Sequence, residues 1–535
     1  MDDSNKSKHA GVHDLSSKRL KIFGLSKEEV LKGLFGGNAF ISIIILSLIT
    51  IFLFKEGVGF FGQYRDSLAL HRESGLEYVE LMRQEQDALS ALNRYLNSIR
   101  SLQSEKLSEQ GLEFAEVKKE LARYDDFFFR FEDLALPLRD LVLDANEIIA
   151  DARDRYLEIH NLVEHRKNLE KQGMLSELAS IVVEEVDLRL VFEIVRSRES
   201  EFLEINRSLD SQLKELLQQA PLFEDSDLEA RMERFKELSA LFLAKLPEYE
   251  AAVVAWNRNE TIGFADAFTS FAFGKKWVTN SSIQDWYGIL PLFSGSMLVA
   301  VIAMGFAIPL GVGSAIYVNQ VANPLEQNVI KPYIEFISAI PSVVIGFFGI
   351  AVFGTLVREV SGWDALSWVG FFPVSERLTA FTAGSLLALM AIPTIFTLAE
   401  DALDNVPVDY REASMSMGAT KLQTIVRIIV PTALSGIVSA VLLGFGRVIG
   451  ETMVVLLCAG NRIQIPPFSE GLGVVFEPVH TMTGIIAQEL GEVVNGSIHY
   501  RALFMVGLVL FFLSLLINYV AQKIVMRFQI SSVER

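Results

Sequence analysis

Six stretches of this 535-residue chain are almost continuously apolar, at approximately 35–54, 287–317, 328–355, 378–399, 432–457 and 501–522. A helix needs ~20 mostly apolar residues to cross a bilayer, so each stretch predicts a membrane-spanning helix. Between the first and second the pattern changes. Over residues 65–260, Leu, Ile, Val and Phe recur at helical spacing with Glu, Arg and Lys between them, as from Met174 to Gln219. The punctuation there is sparse: Gly75, Gly111, Gly173, Pro137, Pro221 and Pro247. This predicts four or five long amphipathic helices stacked as an antiparallel bundle outside the membrane. In that region the run Phe127-Phe128-Phe129 and the adjoining Arg130 read as core with a solvated flank rather than a ligand box.

Charge sharpens the division. The chain carries a net charge of −18, and residues 65–260 hold 26 Lys and Arg against 42 Asp and Glu, so −16 of it falls there. That acidity argues against a nucleic-acid partner and against a role in concentrating anions. The lone cysteine, Cys458, excludes an intrachain disulfide and a thiolate cluster and reads as packing. A polar leader with Lys6, Lys8, Lys18, Arg19, Lys21, Lys27 and Lys32 precedes the first apolar stretch, and Phe54-Lys55-Glu56 follows it without a small-residue cleavage site. The first stretch therefore reads as an uncleaved signal anchor with its N-terminus in the cytoplasm. Six crossings return the C-terminal Lys523, Arg527 and Arg535 to the same side, together with the loop after the fourth span.

That loop contains Asp409-Tyr410-Arg411-Glu412-Ala413-Ser414-Met415-Ser416-Met417-Gly418-Ala419. Asp409 followed by Glu412 has the spacing of a capping box, and Gly418 is free to end a helix at positive φ. The segment reads as a two-turn helix outside the lipid: an ordinary loop helix or a docking element. With Ile428 and Val430-Pro431 beyond it, the spacing resembles the E-A-A-x-x-x-G…I-x-L-P signature of importer permeases of the ATP-binding-cassette (ABC) superfamily. Ser414 stands where the second Ala is expected, and Val430 replaces Leu. The resemblance implies that Glu412, Ala413, Ser414, Gly418 and Ala419 couple the chain to a separate ATPase subunit. No G-x-x-x-x-G-K-[ST], H-E-x-x-H or C-x-x-C occurs in the chain. It is thus expected to be no enzyme, to bind no metal or cofactor, and to rely on ATP and Mg held by a partner.

The fifth apolar stretch holds Gly444-Phe445-Gly446-Arg447-Val448-Ile449-Gly450-Glu451-Thr452-Met453. Arg447 and Glu451 are i, i+4 neighbours on one helix face. An ionised side chain inside a membrane must be paired or face water. A guanidinium fork suits a tetrahedral oxyanion; the alternative is an ion pair that only locks helices together. The three glycines allow close approach of a backbone or a ligand.

G-R-x-I-G-E-T-M, with Ala339-Ile340-Pro341-Ser342-Val343-Val344-Ile345-Gly346 in the third stretch, resembles the PstC-type permeases of bacterial phosphate ABC transporters. Leu290-Pro291-Leu292 and Ile308-Pro309-Leu310-Gly311 add to the likeness, which takes in the first span and everything after residue 262. It implies an all-α membrane protein with the six transmembrane helices of the type I ABC importer permease fold and an inserted extracytoplasmic helical bundle. Arg447, Glu451, Thr452 and Ser342 would line the substrate path. The implied partners are a second homologous permease, a cytoplasmic ABC ATPase dimer, an extracytoplasmic phosphate-binding protein and membrane lipid, in the bacterial inner membrane. The expected organisation is a cytoplasmic leader (1–34), signal anchor (35–54), extracytoplasmic helical insertion (55–262), extracytoplasmic linker (263–286), permease core (287–525, with a cytoplasmic coupling loop at 400–428) and cytoplasmic tail (526–535). Pro341-Ser342 and Pro393-Thr394 are expected to break or kink the third and fourth spans. Sulfate or molybdate permeases, which share R-x-x-G-E, are the alternative within this class. A phosphate-sensing receptor is the alternative outside it, although only Asn319 to Gln327 separates the second and third spans, leaving no room for a signalling module.

Overall fold

The structure, a computed structural model, describes residues 21–22, 25–109, 114–172, 186–281, 284–366 and 368–528. The basic positions Lys6, Lys8, Lys18 and Arg19, the glycines Gly111 and Gly173, the start of the Met174–Gln219 segment and the end of the tail with Arg535 lie outside the described residues. The chain divides into two units: residues 1–60 with 292–535, and residues 61–291.

The second unit is a helical bundle. The end of α1 (Lys27–Ser74) leads into α2 (Leu76–Glu109), α3 (Phe114–Gln172), the short α4 (Leu188–Arg196), α5 (Glu199–Gln218), α6 (Ser226–Ala255) and α7 (Phe264–Phe273). Cross-helix contacts fix the directions. Arg100 meets Asp125, and Ile149 lies against Gly75, so α2 and α3 are antiparallel. Lys106 meets Asp225 while Tyr78 stacks on Trp256, so α6 also runs against α2. Glu85 with Asn206 and Tyr78 with Glu199 make α5 parallel to α2. The result is an up-down-up-down four-helix arrangement with α4 packed on α3. Its apolar seam follows the expected spacing, as with Leu209, Leu213 and Leu216 on α5, which meet Phe131, Leu138 and Phe235 in one buried core. Phe127 is buried, Phe129 is exposed and Arg130 donates to Gln219 Oε1, the core-plus-flank outcome.

Three polar groups interrupt that core. Glu85, Asn206 and Ser239 are almost wholly buried. Asn206 Nδ2 donates to Glu85 Oε2 at 3.1 Å, while Glu85 Oε1, Asn206 Oδ1 and Ser239 Oγ have no hydrogen-bond partner among the described residues. Burial, with the charge of Glu250 adding to it, pushes the Glu85 carboxyl up to about 8. A short hairpin of β3 (Trp277–Val278) and β4 (Trp286–Tyr287) completes this unit; β1 (Lys21–Ile22) and β2 (Leu25–Ser26) pair near the start of the chain.

Among the described residues, six helices are long and apolar enough to cross a membrane: Phe35–Ser74, Leu290–Val321, Ser342–Ser361, Ala380–Asp404, Lys421–Gly450 and Ile498–Ile524. Their elements are α1, α8 (Leu290–Ile316), α10 (Ser342–Phe348) continued by α11 (Gly354–Ser361), α12 (Ala380–Asp404), α15 (Val430–Gly450) and α18 (Ile498–Phe528). Two predicted stretches change extent. The stretch 328–355 is not one helix: α9 (Pro324–Ser338) stops, Ala339 to Pro341 break the ladder, and α10 restarts at Ser342. Pro341 has no N–H to continue the ladder. The stretch 432–457 also divides, after Gly450, and α16 (Met453–Cys458) follows. Gly444, Gly446 and Gly450 weaken helix propensity there. Pro393, by contrast, sits inside an unbroken α12.

Close approach between helices uses small residues. A Cβ on Gly436 would lie 2.4 Å from Ala402 Cβ, and one on Gly444 2.6 Å from Ile395, so α15 lies tightly on α12. Gly346 and Gly349 likewise bring the third span against Leu457 and Cys458. The buried Cys458 Sγ donates to the Gly346 carbonyl, a packing role as its sequence context suggests. Three π-helical turns interrupt the spans at Tyr317–Val321, Gly349–Phe353 and Ile425–Ile429.

Candidate functional site

The tight α12–α15 contact positions the first site. One turn after Gly444, the Arg447 side chain crosses to α12, and its Nη1 donates to Thr394 Oγ1 at 3.0 Å. Thr394 directly follows Pro393. The hydroxyl is the protein acceptor that Arg447 has, and no carboxylate lies within 4.0 Å of its guanidinium among the described residues. Arg447 is exposed, and positions on either side of it are open: a Cβ on Gly446 or Gly450 would meet nothing within 4 Å. The three glycines thus divide their work. Gly444 admits a neighbouring helix, while Gly446 and Gly450 leave room.

The expected i, i+4 pair of Arg447 and Glu451 does not form. The helix ends at Gly450, and Glu451 takes an extended conformation (φ −74°, ψ 134°) as the C-cap residue. Beyond the last turn, helical side-chain spacing no longer applies. Thr452 (φ −111°, ψ −50°) opens α16 and is half-buried. The broken backbone is held from outside: Thr483 Oγ1 donates to the Glu451 carbonyl at 2.9 Å. Thr483 belongs to α17 (Met482–Glu489), whose N-cap Thr481 accepts from the Gly484 N–H. Just before it, burial lowers the His480 pKa, and its Nδ1 accepts the Thr481 N–H at 2.9 Å while Nε2 meets Gln488 Oε1. Ser342 starts α10, half-buried, on the span that packs against α16. No hydrogen bond joins it to Arg447, Glu451 or Thr452 among the described residues. The structure therefore gathers Arg447 and Thr394 with the break at 451–452, and leaves Ser342 at a separate helix start. Thr394 and Thr483 join the site through contacts that the sequence does not announce; Pro393-Thr394 carries only the signal of a kink.

The second site is the polar helix. Its start differs from expectation: α13 runs Val408–Ser416 with Pro407 as N-cap and no side-chain cap. Pro407 already supplies the extended-to-helical turn (φ −56°, ψ 135°), so Asp409 sits in the first turn, where its charge meets the helix dipole. Capping boxes form instead at Asn323/Glu326, before α9, and at Thr420/Gln423, before α14 (Lys421–Thr424). The end is as expected. Gly418 has φ +83°, the Ala419 N–H bonds to the Ser414 carbonyl and the Gly418 N–H to that of Met415, a complete Schellman closure. None of the residues of α13 is buried. Glu412, Ala413 and Gly418 are exposed and Ser414 and Ala419 half-buried, beside the exposed apolar Met415, Met417 and Leu422.

An all-α chain with six apolar helices, a broken fifth span around an arginine and an exposed capped helix between spans is a membrane permease in architecture. The chain belongs to the family of binding-protein-dependent transport system inner membrane components, whose profile matches residues 307–528. Within that family its relatives include phosphate transport system permease proteins of the PstC type. It is 33% identical over 242 residues to a probable ABC transporter permease protein YqgH of Bacillus subtilis, covering 44% of this chain and 72% of that one. The phosphate transport system permease protein PstC of Pasteurella multocida is 29% identical over 276 residues, 50% of this chain and 84% of that one. PstC 1 of Mycobacterium tuberculosis is 30% identical over 268 residues, 48% and 78% of the two chains. The bundle between α1 and α8 lies outside the family match.

Proposed function

We propose that this chain is one of two homologous permeases forming the translocation path for inorganic phosphate, driven by ATP hydrolysis on a separate ATPase dimer and loaded by an extracytoplasmic phosphate-binding protein. The observation that carries the substrate reading is Arg447: a guanidinium on a membrane helix, steadied by one hydroxyl, with no carboxylate beside it among the described residues and open space around it. Such a cation is costly in the membrane unless it faces water or meets an anion. Its remaining N–H donors are arranged for the oxygens of a tetrahedral oxyanion. Glu451 and Thr452, off the helix, present backbone to the same broken segment. Ser342 would join the path from the restart of the third span. That the relatives named above include phosphate permeases supports phosphate over sulfate or molybdate.

The exposed α13 is the coupling element. Glu412, Ala413, Ser414, Gly418 and Ala419 would sit in a groove of the ATPase, with Met415 and Met417 giving apolar contact. With the N-terminus in the cytoplasm, this helix faces the side where ATP and Mg are bound by the partner, and the α2–α6 bundle faces the other. ATP binding closes the ATPases, α13 passes that motion to the spans, the path opens outward, phosphate enters along Arg447 and hydrolysis resets the assembly. Uptake of labelled phosphate, with sulfate and molybdate as competitors, in vesicles holding the assembled transporter tests the substrate. Uptake blocked by excess phosphate and indifferent to sulfate is expected; sulfate competition at equal concentration overturns the phosphate reading.

A further inference from the structure

Nothing in α13 is buried, so apolar packing does not explain how this short helix is fastened to the spans it must move. Side-chain hydrogen bonds do. Arg411, one residue before the coupling motif, turns back from α13, and its Nη2 donates to Gln320 Oε1 at 2.6 Å. Gln320 Nε2 donates in turn to Asn319 Oδ1. Asn319 Nδ2 then donates to Asp404 Oδ1 at 2.5 Å. Asn319 and Gln320 lie in the π-helical turn that ends the second span, and Asp404 is the last residue of α12, the fourth. At the other end of α13, Ser414 Oγ meets Thr424 Oγ1 at 2.9 Å, and Thr424 leads into the π-helical turn that opens the fifth span.

The chain has a direction. Each amide accepts on its carbonyl and donates from its nitrogen, so the two dipoles align head to tail between a guanidinium and a carboxylate, and each bond polarises the next. Gln320 is 5% exposed. Pulling Arg411 away would strand a buried acceptor. Displacing α13 is therefore easier with the ends of the second and fourth spans following than with the bonds broken.

We propose that Arg411–Gln320–Asn319–Asp404 is a strut that carries movement of the coupling helix into the second and fourth spans, with Arg411 and Gln320 as positioning residues. This rests on the docking reading of α13. The test uses the full chain assembled with its companion permease and ATPase in proteoliposomes, measuring phosphate moved per ATP hydrolysed. Gln320→Leu keeps side-chain size and removes both hydrogen bonds. Arg411→Gln makes the same test at an exposed position where folding is not at stake. Each is expected to retain the ATPase and its hydrolysis while transport per ATP falls roughly tenfold. The double variant should be no worse than the poorer single, because both cut one chain. A wild-type transport ratio in Gln320→Leu, or losses that multiply in the double variant, overturns the strut. Loss of the ATPase from Arg411→Gln with normal coupling in Gln320→Leu makes Arg411 a docking contact and also overturns it. A wild-type chain that never retains an ATPase overturns the docking reading itself, a result distinct from a coupled wild type with coupled variants.

Discussion

Glu85 gives the bundle a stability that depends on pH, and the sign follows from its surroundings. Its carboxyl is wholly buried, has one amide donor on Oε2 and, among the described residues, nothing on Oε1, and is pushed up to about 8 from the ordinary value of 4.5. A folded-state pKa above the unfolded one means the folded chain binds the proton more tightly. Its contribution is complete below about 4.5 and is lost as pH rises through about 8. At ~1.36 kcal/mol for each pH unit between those limits, the loss approaches 5 kcal/mol, an order-of-magnitude figure. Glu85→Gln removes the ionisation. The variant should match the wild type near pH 5 and exceed it at pH 8, by roughly 8–15 °C in the unfolding midpoint of the bundle. Amide hydrogen exchange over α2 and α5 of the detergent-solubilised full chain reads this locally. Equal protection of the two proteins at pH 8, or a variant weaker at pH 8 than at pH 5, refutes the reasoning.

Two substitutions test the sites in the spans and the loop. Thr394→Val removes the hydroxyl that steadies Arg447 while keeping shape. A hydrogen bond to a charged group is worth about 1.5–3 kcal/mol when buried, and the exposure of Arg447 pulls the effect toward 1, so the KM for phosphate uptake should rise about five- to tenfold. Thr394→Ser should restore it; a valine variant with an unchanged KM contradicts the contact. Gly418→Ala places a methyl in open space but demands φ +83° of an L-residue, at about 1–2 kcal/mol. ATPase retention, titrated on immobilised transporter, should weaken about tenfold with Ala and less with Asn; equal weakening by both would show that backbone conformation is not the cause.

How far the chain was legible depended on range. Apolar run length located the six spans because bilayer thickness sets that length, and Gly418 was legible because few residues adopt positive φ without cost. The breaks at Pro341 and after Gly450 followed local rules only in part. Pro341 announced itself, whereas Glu451 leaves the helix with its carbonyl tied by Thr483, a residue thirty-two positions away. The same gap hid Thr394, whose partner is fifty-three positions on. It also hid the strut, where Gln320 and Arg411 are ninety-one apart. Asp409 misled because its spacing to Glu412 fits a capping box, while Pro407 two residues earlier had already begun the helix. Periodicity reports which face is apolar; it does not report which polar groups meet across helices.

We propose that Arg447 serves the anion and not the scaffold. Labelled-phosphate uptake by the assembled transporter carrying Arg447→Gln, compared with Arg447→Lys, tests it most directly. Gln should abolish uptake, Lys should retain part of it, and both complexes should keep their ATPase and unfold at the wild-type temperature. Wild-type uptake by Arg447→Gln, or loss of uptake only through loss of the complex, would contradict it.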